Sequence, residues 1–162
     1  MSTVFLGLGA NLGDRTANLA AAREALAPVM RIQRASRVYE SEPVGLRQQP
    51  LFLNQVVQGE TVLRPGALLG KLKEIERQMG RLPGPRYGPR PIDLDIILFD
   101  DWVIGSAELV VPHPRFRERS FVLAPLAEIA PELRDPLTGE RIAELWDRVA
   151  PFLARAWVYE GE

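Results

Sequence analysis

The segment between residues 80 and 91 most limits what this 162-residue chain can fold into. Glycine and proline occupy seven of its twelve positions, so it cannot form a helix or an inner strand of a sheet. We expect a long loop here, and loops of this length are usually either functional or disordered. Because the whole chain has the size of one domain, we expect residues 1–162 to fold as a single unit around this loop.

The elements predicted on either side of the loop follow the order βαββαβ, with additions at the C-terminus. Asp14 is a plausible N-cap, Pro65 suits the first turn of a helix, and we expect a helical break at Pro125. This order favours an α/β (α+β) protein, namely a ferredoxin-like two-layer sandwich whose antiparallel-rich sheet is covered by helices. The predicted strands are 3–8, 32–39, 52–62, 92–99, 102–104 and 156–159, and the later helices are 115–129 and 142–149.

Two carboxylates lie close together in the strand that follows the loop. Asp93 and Asp95 are two positions apart, and such residues of a strand point to the same face. Ionised carboxylates at this spacing repel each other, and a divalent cation between them removes the conflict. Mg²⁺ accepts one or two carboxylates together with water and phosphate oxygens. The alternative is a strand edge whose two acids simply face solvent.

The loop itself is basic. It contains Arg81, Arg86 and Arg90 and no acidic residue, although the whole chain has a net charge of −1. Cations beside metal-binding carboxylates are complementary to a magnesium polyphosphate. A solvated charged loop is the alternative, and a GC-rich genome would account for the 18 arginines among 20 basic residues.

Composition excludes several classes of site. The chain has no cysteine and one histidine, His113, so it cannot be a disulfide scaffold, a thiolate zinc protein or a multi-histidine metal protein. Gly7 and Gly9 follow a strand, but Leu12 stands where the dinucleotide-binding fingerprint needs its third glycine. Charge and apolar run lengths predict a cytoplasmic protein, expected to be a monomer, that binds neither nucleic acid nor membrane.

Short motifs along nearly the whole chain resemble, in the same order, the signature of the hydroxymethyldihydropterin pyrophosphokinase family. The motifs are GLGANLG at 7–13, YESEPVG at 39–45, FLN at 52–54, ERQMGR at 76–81, GPRPIDLDIILF at 88–99, VPHP at 111–114 and RSF at 119–121. The resemblance implies transfer of the β,γ-pyrophosphoryl group of ATP to the hydroxymethyl oxygen of a reduced pterin, leaving AMP.

The resemblance also implies roles for individual residues. The catalytic set would be Arg81, Arg86, Arg90, Asp93 and Asp95, and the two aspartates would hold two Mg²⁺ ions. The ATP site would comprise Glu76, Arg86, Arg90, Ile96, His113 and Arg119. The pterin site would comprise Ser41, Glu42, Val44, Phe52, Asn54, Tyr87 and Phe121.

The chain departs from the family pattern within the loop. Pro83 stands where many members carry a second arginine, and Tyr87 stands where a tryptophan is common. Four prolines predict a stiffer loop with slower or smaller movement. Two other functions remain open from the residues alone, namely a magnesium-dependent D-x-D nucleotidyltransferase and a non-enzymatic ferredoxin-like ligand-binding module.

Overall fold

A computed structural model of the chain describes residues 1–42, 50–80 and 91–161. The strands are β1 (Ser2–Ala10), β2 (Arg31–Ala35), β3 (Tyr39–Ser41), β4 (Phe52–Thr61), β5 (Asp93–Phe99), β6 (Ile104–Gly105), β7 (Val110–Val111) and β8 (Ala156–Val158). The helices are α1 (Arg15–Leu26), α2 (Pro65–Gln78), α3 (Ser120–Ile129) and α4 (Ile142–Val149), with short 3-10 turns at Phe116–Glu118 and Ala150–Phe152. Within the described ranges, no helix is long and apolar enough to cross a membrane.

The main sheet is antiparallel and has β1 in its interior. The order is β5-β1-β4-β3-β8, and β2 also pairs with β4. β1 therefore has a partner on each side, β5 and β4, and both pairings are antiparallel. This arrangement confirms the predicted ferredoxin-like α/β class. A small second sheet joins β6 to β7.

Alternation along β1 divides the molecule into two apolar layers. Val4, Leu6 and Leu8 are buried on the face that α1 and α2 cover. Phe5 is buried on the opposite face, where α3 and α4 pack. The C-terminal additions therefore cover the second face of the sheet, and they leave room for a cavity at the end of β1 where the sequence has glycines.

The helix termini agree with the sequence signals. Asp14 is the N-cap of α1, and its carboxylate accepts a hydrogen bond from the backbone N–H of Ala17 at 3.0 Å. Pro65 lies in the first turn of α2, where its missing N–H leaves no hydrogen bond unmade. Leu68 and Leu72 of α2 are four positions apart, as residues on one face of a helix are, and both are fully buried.

The strand predicted over residues 32–39 is divided into β2 and β3. Ser36 separates them, because its hydroxyl accepts a hydrogen bond from the N–H of Val56 at 3.0 Å. The backbone N–H of Ser36 in turn donates a hydrogen bond to the carbonyl of Val56 at 2.9 Å. A side chain that replaces a backbone group in the ladder shifts the register, and two short strands result.

The break predicted at Pro125 is also wrong. α3 begins at Ser120 and runs through Pro125 to Ile129, and the proline ring is buried in the apolar layer. A proline at this position removes one backbone donor, which would otherwise face the carbonyl of Phe121. Burial of the ring in the core offsets that loss. The strand predicted at 102–104 is displaced to β6, since the N–H of Trp102 closes a turn onto the carbonyl of Phe99.

Glu128 of α3 joins the helix to the junction between β2 and β3. Its carboxylate accepts hydrogen bonds from the backbone N–H of Arg37 at 3.0 Å and from the hydroxyl of Tyr39 at 2.7 Å. Burial alone would raise the pKa of Glu128, but these bonds and the Arg37 guanidinium outweigh it, so the pKa is lowered. Burial and the same carboxylate raise the pKa of Tyr39 to about 12.

We predict that Glu128→Gln lowers the free energy of unfolding by about 1–2 kcal/mol at pH 7, because hydrogen bonds to a charged group are lost or weakened. The folded-state pKa of Glu128 lies below its ordinary value of 4.5, so this contribution is present above that value and is lost as the pH falls through the folded pKa. Urea unfolding at several pH values measures the difference.

The control is Glu132→Gln, whose side chain is 75% exposed and pairs with Arg141 at the surface. We expect this variant to change the unfolding free energy by less than about 0.5 kcal/mol. Equal effects of the two substitutions at pH 7 would contradict a role for Glu128 in joining the helix to the sheet.

Candidate active site

A cavity of about 270 Å³ opens on the α3 side of the sheet, at the C-terminal end of β1. It is bordered by residues from β1, β3, β4, α2, β5 and the start of α3, so elements far apart in the sequence meet there. The residues that line it are Gly7, Leu8, Gly9, Ser41, Glu42, Phe52, Asn54, Gln55, Lys73, Asp93, Asp95, Ile97, His113, Arg119, Phe121 and Val122.

Two glycines of β1 leave space for this cavity. Gly7 is paired with Asp95, and Gly9 lies between Asp93 on one side and Asn54 on the other. A Cβ atom on Gly9 would lie 3.3 Å from the amide oxygen of Asn54, tighter than most real contacts. The backbone of the two glycines therefore forms the floor of the cavity. The carboxylates of Asp93 and Asp95 and the amide of Asn54 surround this floor.

The two acids of β5 face the cavity together. Asp93 and Asp95 line it, whereas Leu94 and Ile96 are buried in the layer beneath α1 and α2. The alternation predicted from the sequence is thus present in the fold. In the described part of the chain no third acid or histidine joins the pair to form a larger potential metal cluster.

Glu76 contacts β5, the last strand in the order of the main sheet, and does not line the cavity. It is 2% exposed, and its Oε2 accepts a hydrogen bond from the backbone N–H of Leu94 at 2.8 Å. Its other oxygen lies 3.4 Å from the ammonium of Lys73. The carboxylate of Glu76 therefore fixes the strand between Asp93 and Asp95.

A β-bulge positions the histidine. Ile97 and Leu98 together oppose Phe5 of β1, so both are packed on the α3 side of the sheet. The carbonyl of Ile97 accepts a hydrogen bond from the backbone N–H of His113 at 2.9 Å. The extra residue of the bulge thus connects the acidic strand to the segment that carries His113.

The imidazole of His113 is held in one tautomer. Its Nδ1 accepts a hydrogen bond from the backbone N–H of Arg115 at 3.1 Å, so the neutral ring carries its proton on Nε2. Burial, followed by the positive charges of Arg119 and Arg115, lowers the pKa of His113 to about 4. At neutral pH the ring is an uncharged donor at the cavity wall.

Arg119 and Phe121 bring a cation and a ring to the same wall. The guanidinium of Arg119 lies 5.7 Å from the centre of the Phe121 ring. Arg119 also precedes α3, so backbone N–H groups of the first turn and the positive end of the helix dipole lie nearby. This wall suits an anion.

A buried ion pair anchors that wall. The guanidinium of Arg117 donates to both carboxylate oxygens of Asp135, whose side chain is fully buried, at 2.5 and 2.8 Å. Burial would raise the pKa of Asp135, but Arg117 and the N–H of Leu137 outweigh it and lower the pKa. The 3-10 turn between His113 and Arg119 is therefore attached to the segment that connects α3 to α4.

The opposite wall carries neutral polar groups and a ring. Asn54 is 4% exposed and donates through its Nδ2 to the hydroxyl of Ser41 at 2.7 Å. That bond turns the amide oxygen towards Gly9. Phe52 lies beside the amide, and the exposed Glu42 lies at the rim. This wall suits a flat ligand with donor groups on its edge.

The cavity brings together most of the described residues that the resemblance implied. Ile96 belongs to the layer on the other face of the sheet. Five other residues that the resemblance implied lie outside the described part of the chain: Val44, Arg81, Arg86, Tyr87 and Arg90. Sequence reasoning did not single out Lys73 or Gln55, which also line the cavity. The spacing of Lys73 three residues before Glu76, which places the two side chains on one helix face, is the signal that could have found it.

Comparison with known proteins gives a consistent set of matches. A model of the 7,8-dihydro-6-hydroxymethylpterin-pyrophosphokinase (HPPK) family matches residues 5–131. A 2-amino-4-hydroxy-6-hydroxymethyldihydropteridine pyrophosphokinase of Aquifex aeolicus is 42% identical over 89% of this chain and 90% of its own length. The protein of that name from Bacillus subtilis is 43% identical over 83% and 82% of the two chains.

Solved structures agree on the fold. An HPPK-DHPS chain in complex with substrates superposes with a TM-score of 0.73 at 16% identity, and covers 93% of this chain. The wild-type HPPK-DHPS of Plasmodium falciparum gives 0.75 at 15% identity. This chain spans 44% and 45% of those two chains, so it corresponds to less than half of each.

We predict that His113 titrates at about pH 4 and carries its proton on Nε2 when neutral, because burial and two arginines oppose its charge. The chain has one histidine, so imidazole nitrogen NMR signals during a pH titration belong to it. In the unfolded chain this residue takes up its proton near pH 6.5, so stability falls as the pH decreases from 6.5 towards 4.

His113→Gln should remove that part of the pH dependence of stability while leaving the rest. A titration near pH 6.5, or a neutral ring protonated on Nδ1, would contradict the described environment.

Proposed function

Because this chain belongs to the 7,8-dihydro-6-hydroxymethylpterin-pyrophosphokinase family, we propose that the cavity beside β1 is its active site. The protein is an ATP-dependent pyrophosphokinase of folate biosynthesis, which transfers pyrophosphate from ATP to 6-hydroxymethyl-7,8-dihydropterin. The observation that supports the site is the shared cavity itself. An acidic pair stands between an anion-binding wall and a wall suited to a flat heterocycle.

The wall at the start of α3 would bind the phosphates of ATP. Arg119 offers a delocalised cation, and His113 offers a neutral N–H donor from Nε2. A neutral donor adds a hydrogen bond without a charge that would have to be desolvated. The bulge and the Arg117–Asp135 ion pair keep both donors in place before the nucleotide arrives.

The wall formed by β3 and β4 would bind the pterin. The amide oxygen of Asn54 faces the cavity and accepts hydrogen bonds from N–H groups of the pterin edge. Phe52 and Phe121 stand on different elements around the same space, and rings in such positions pack against a planar heterocycle. The floor of Gly7 and Gly9 allows the ligand to approach the backbone closely.

The acidic pair fits Mg²⁺ bound together with the nucleotide. Asp93 and Asp95 supply hard oxygen ligands, and two carboxylates plus substrate phosphates are the combination this ion favours. When bound, Mg²⁺ neutralises charge on the transferring phosphates. We propose that these two residues hold the ions that accompany ATP.

In this arrangement the chain acts mainly by positioning. The pterin hydroxyl oxygen attacks the β-phosphorus of ATP and a new P–O bond forms. The bond from that phosphorus to the oxygen retained by AMP breaks, and the hydroxyl proton passes to solvent. Asn54 and the rings fix the pterin, while Arg119 and His113 fix the phosphates, so the reacting atoms are held in line. Arg81, Arg86 and Arg90 stay predicted partners of the transferring group.

We predict that Asp95→Ala reduces the rate of AMP formation about 100-fold or more, because one carboxylate cannot hold the metal-bound phosphates. The assay contains ATP, Mg²⁺ and hydroxymethyldihydropterin and separates AMP, ADP and pyrophosphate. AMP is the expected nucleotide product of the wild-type chain. Release of free pyrophosphate would instead indicate a nucleotidyltransferase.

Asp101→Ala is the matched control, since Asp101 is exposed in the turn after β5 and does not line the cavity. It should leave the rate unchanged. Equal rates for Asp95→Ala and the control would contradict the assignment of the acidic pair.

We predict that Gly9→Ala weakens pterin binding about tenfold, because the added methyl group meets Asn54 at 3.3 Å and Phe52 at 3.6 Å. Binding of an ATP analogue should change little. Gly70→Ala is the control, since a Cβ there meets nothing within 4 Å. Calorimetric titration with each ligand measures the effect, and equal losses for both ligands would place the pterin elsewhere.

A further inference from the structure

Lys73 lines the cavity, and the proposed function has given it no role. It lies on α2, and its side chain is 49% exposed, with the ammonium 3.4 Å from Oε1 of Glu76. The chain contains one other lysine, Lys71. Lys71 lies two positions earlier on the same helix, pairs with Glu74 at 3.9 Å, and does not line the cavity.

The partner of Lys73 is fixed more firmly than a surface carboxylate. Glu76 is 2% exposed, and its second oxygen is bound to the N–H of Leu94 at 2.8 Å. Leu94 is the residue between Asp93 and Asp95. The carboxylate therefore holds the ammonium beside the strand whose acids face the cavity.

The Lys73–Glu76 contact leaves the ammonium with binding capacity. An ammonium has three donors, and 3.4 Å exceeds the usual 2.7–2.9 Å of a charge-assisted hydrogen bond. The ion pair thus restrains Lys73 without using all its donors. Among the described residues that line the cavity, the cationic side chains are Lys73 and Arg119, and they come from different walls.

A polyphosphate in this cavity needs cations on both sides. Arg119 approaches from the start of α3, whereas Lys73 approaches from α2, next to the acidic strand. The ammonium of Lys73 therefore places a positive charge on a different wall from Arg119, and its attraction for phosphate oxygens adds to that of the Mg²⁺ that Asp93 and Asp95 would hold.

We propose that Lys73 binds the phosphate chain of ATP from the α2 side of the cavity, and that Glu76 is its positioning residue. This inference rests on the proposed function, since it presumes that ATP occupies the cavity. It adds a second residue of α2 to the nucleotide site, since the family resemblance implies that Glu76 belongs to the ATP site.

The test compares Lys73→Met with Lys73→Arg and with the control Lys71→Met. Methionine keeps most of the unbranched stem and removes the charge. Calorimetric titration with the magnesium complex of α,β-methylene ATP should show about tenfold weaker binding for Lys73→Met, the loss expected for a charge-assisted hydrogen bond on a half-exposed group. Lys73→Arg should retain affinity within about threefold. Lys71→Met should equal the wild type, and pterin affinity should be unchanged in every variant.

Chemical labelling gives a readout that does not depend on a variant. Acetylation of the wild-type chain by a limiting reagent modifies Lys71 and Lys73, and mass spectrometry separates the two. The magnesium–nucleotide complex should slow modification of Lys73 severalfold and leave the rate at Lys71 unchanged.

The positioning role of Glu76 is tested by a double-mutant cycle. Glu76→Gln keeps an oxygen for the N–H of Leu94 but removes the charge that holds Lys73. It should weaken binding of the analogue in the wild-type background and have no further effect in the Lys73→Met background. If the losses of affinity in the two single variants add up in the double variant, Glu76 affects binding through β5 and not through Lys73.

The outcomes separate the two proposals. If the wild type binds the analogue and Lys73→Met binds it equally well without nucleotide protection of Lys73, the role of Lys73 is wrong and the proposed function stands. If the wild type neither binds the analogue nor forms AMP, the proposed function fails and the role of Lys73 fails with it.

Discussion

The site depends on the way side chains alternate along β1. On one face of this interior strand, Leu6 and Leu8 are buried under helices and fix the strand in the sheet. On the other face, Gly7 and Gly9 present only backbone. The same alternation therefore supplies both the packing that stabilises the strand and the space that the substrates occupy. A larger residue at either glycine would meet its neighbours before it met a ligand.

Much of this arrangement follows from the sequence, because it rests on local periodicity. The two-residue period of a strand is enough to place Asp93 and Asp95 on one face, and the cap at Asp14 is a local hydrogen bond. The glycines are visible in the sequence as well, and Leu12 argues against a dinucleotide-binding turn there. Their use as a floor depends on which strands flank β1, and local periodicity does not contain that information.

The features that the sequence did not reveal all depend on partners distant in the chain. The division of β2 from β3 requires the hydroxyl of Ser36 to take the place of a backbone group opposite Val56. Pro125 stays helical because its ring is buried in a layer formed by other elements. The apolar periodicity that predicts a helix carries no information about its charged positions, so it does not identify Lys73. Its proximity to the cavity appears only when Glu76 is seen bound to β5.

The interior position of β1 has a consequence for how the chain is made. β1 is synthesised before both of the strands that flank it in the sheet, Phe52–Thr61 and Asp93–Phe99. Until β4 and β5 have been synthesised, this apolar strand has no partner from the main sheet on either edge. Such non-local pairing slows folding and lengthens the time in which an exposed strand can aggregate. Nascent chains that end before β5 have no cavity, so substrates can stabilise this protein only late in its synthesis.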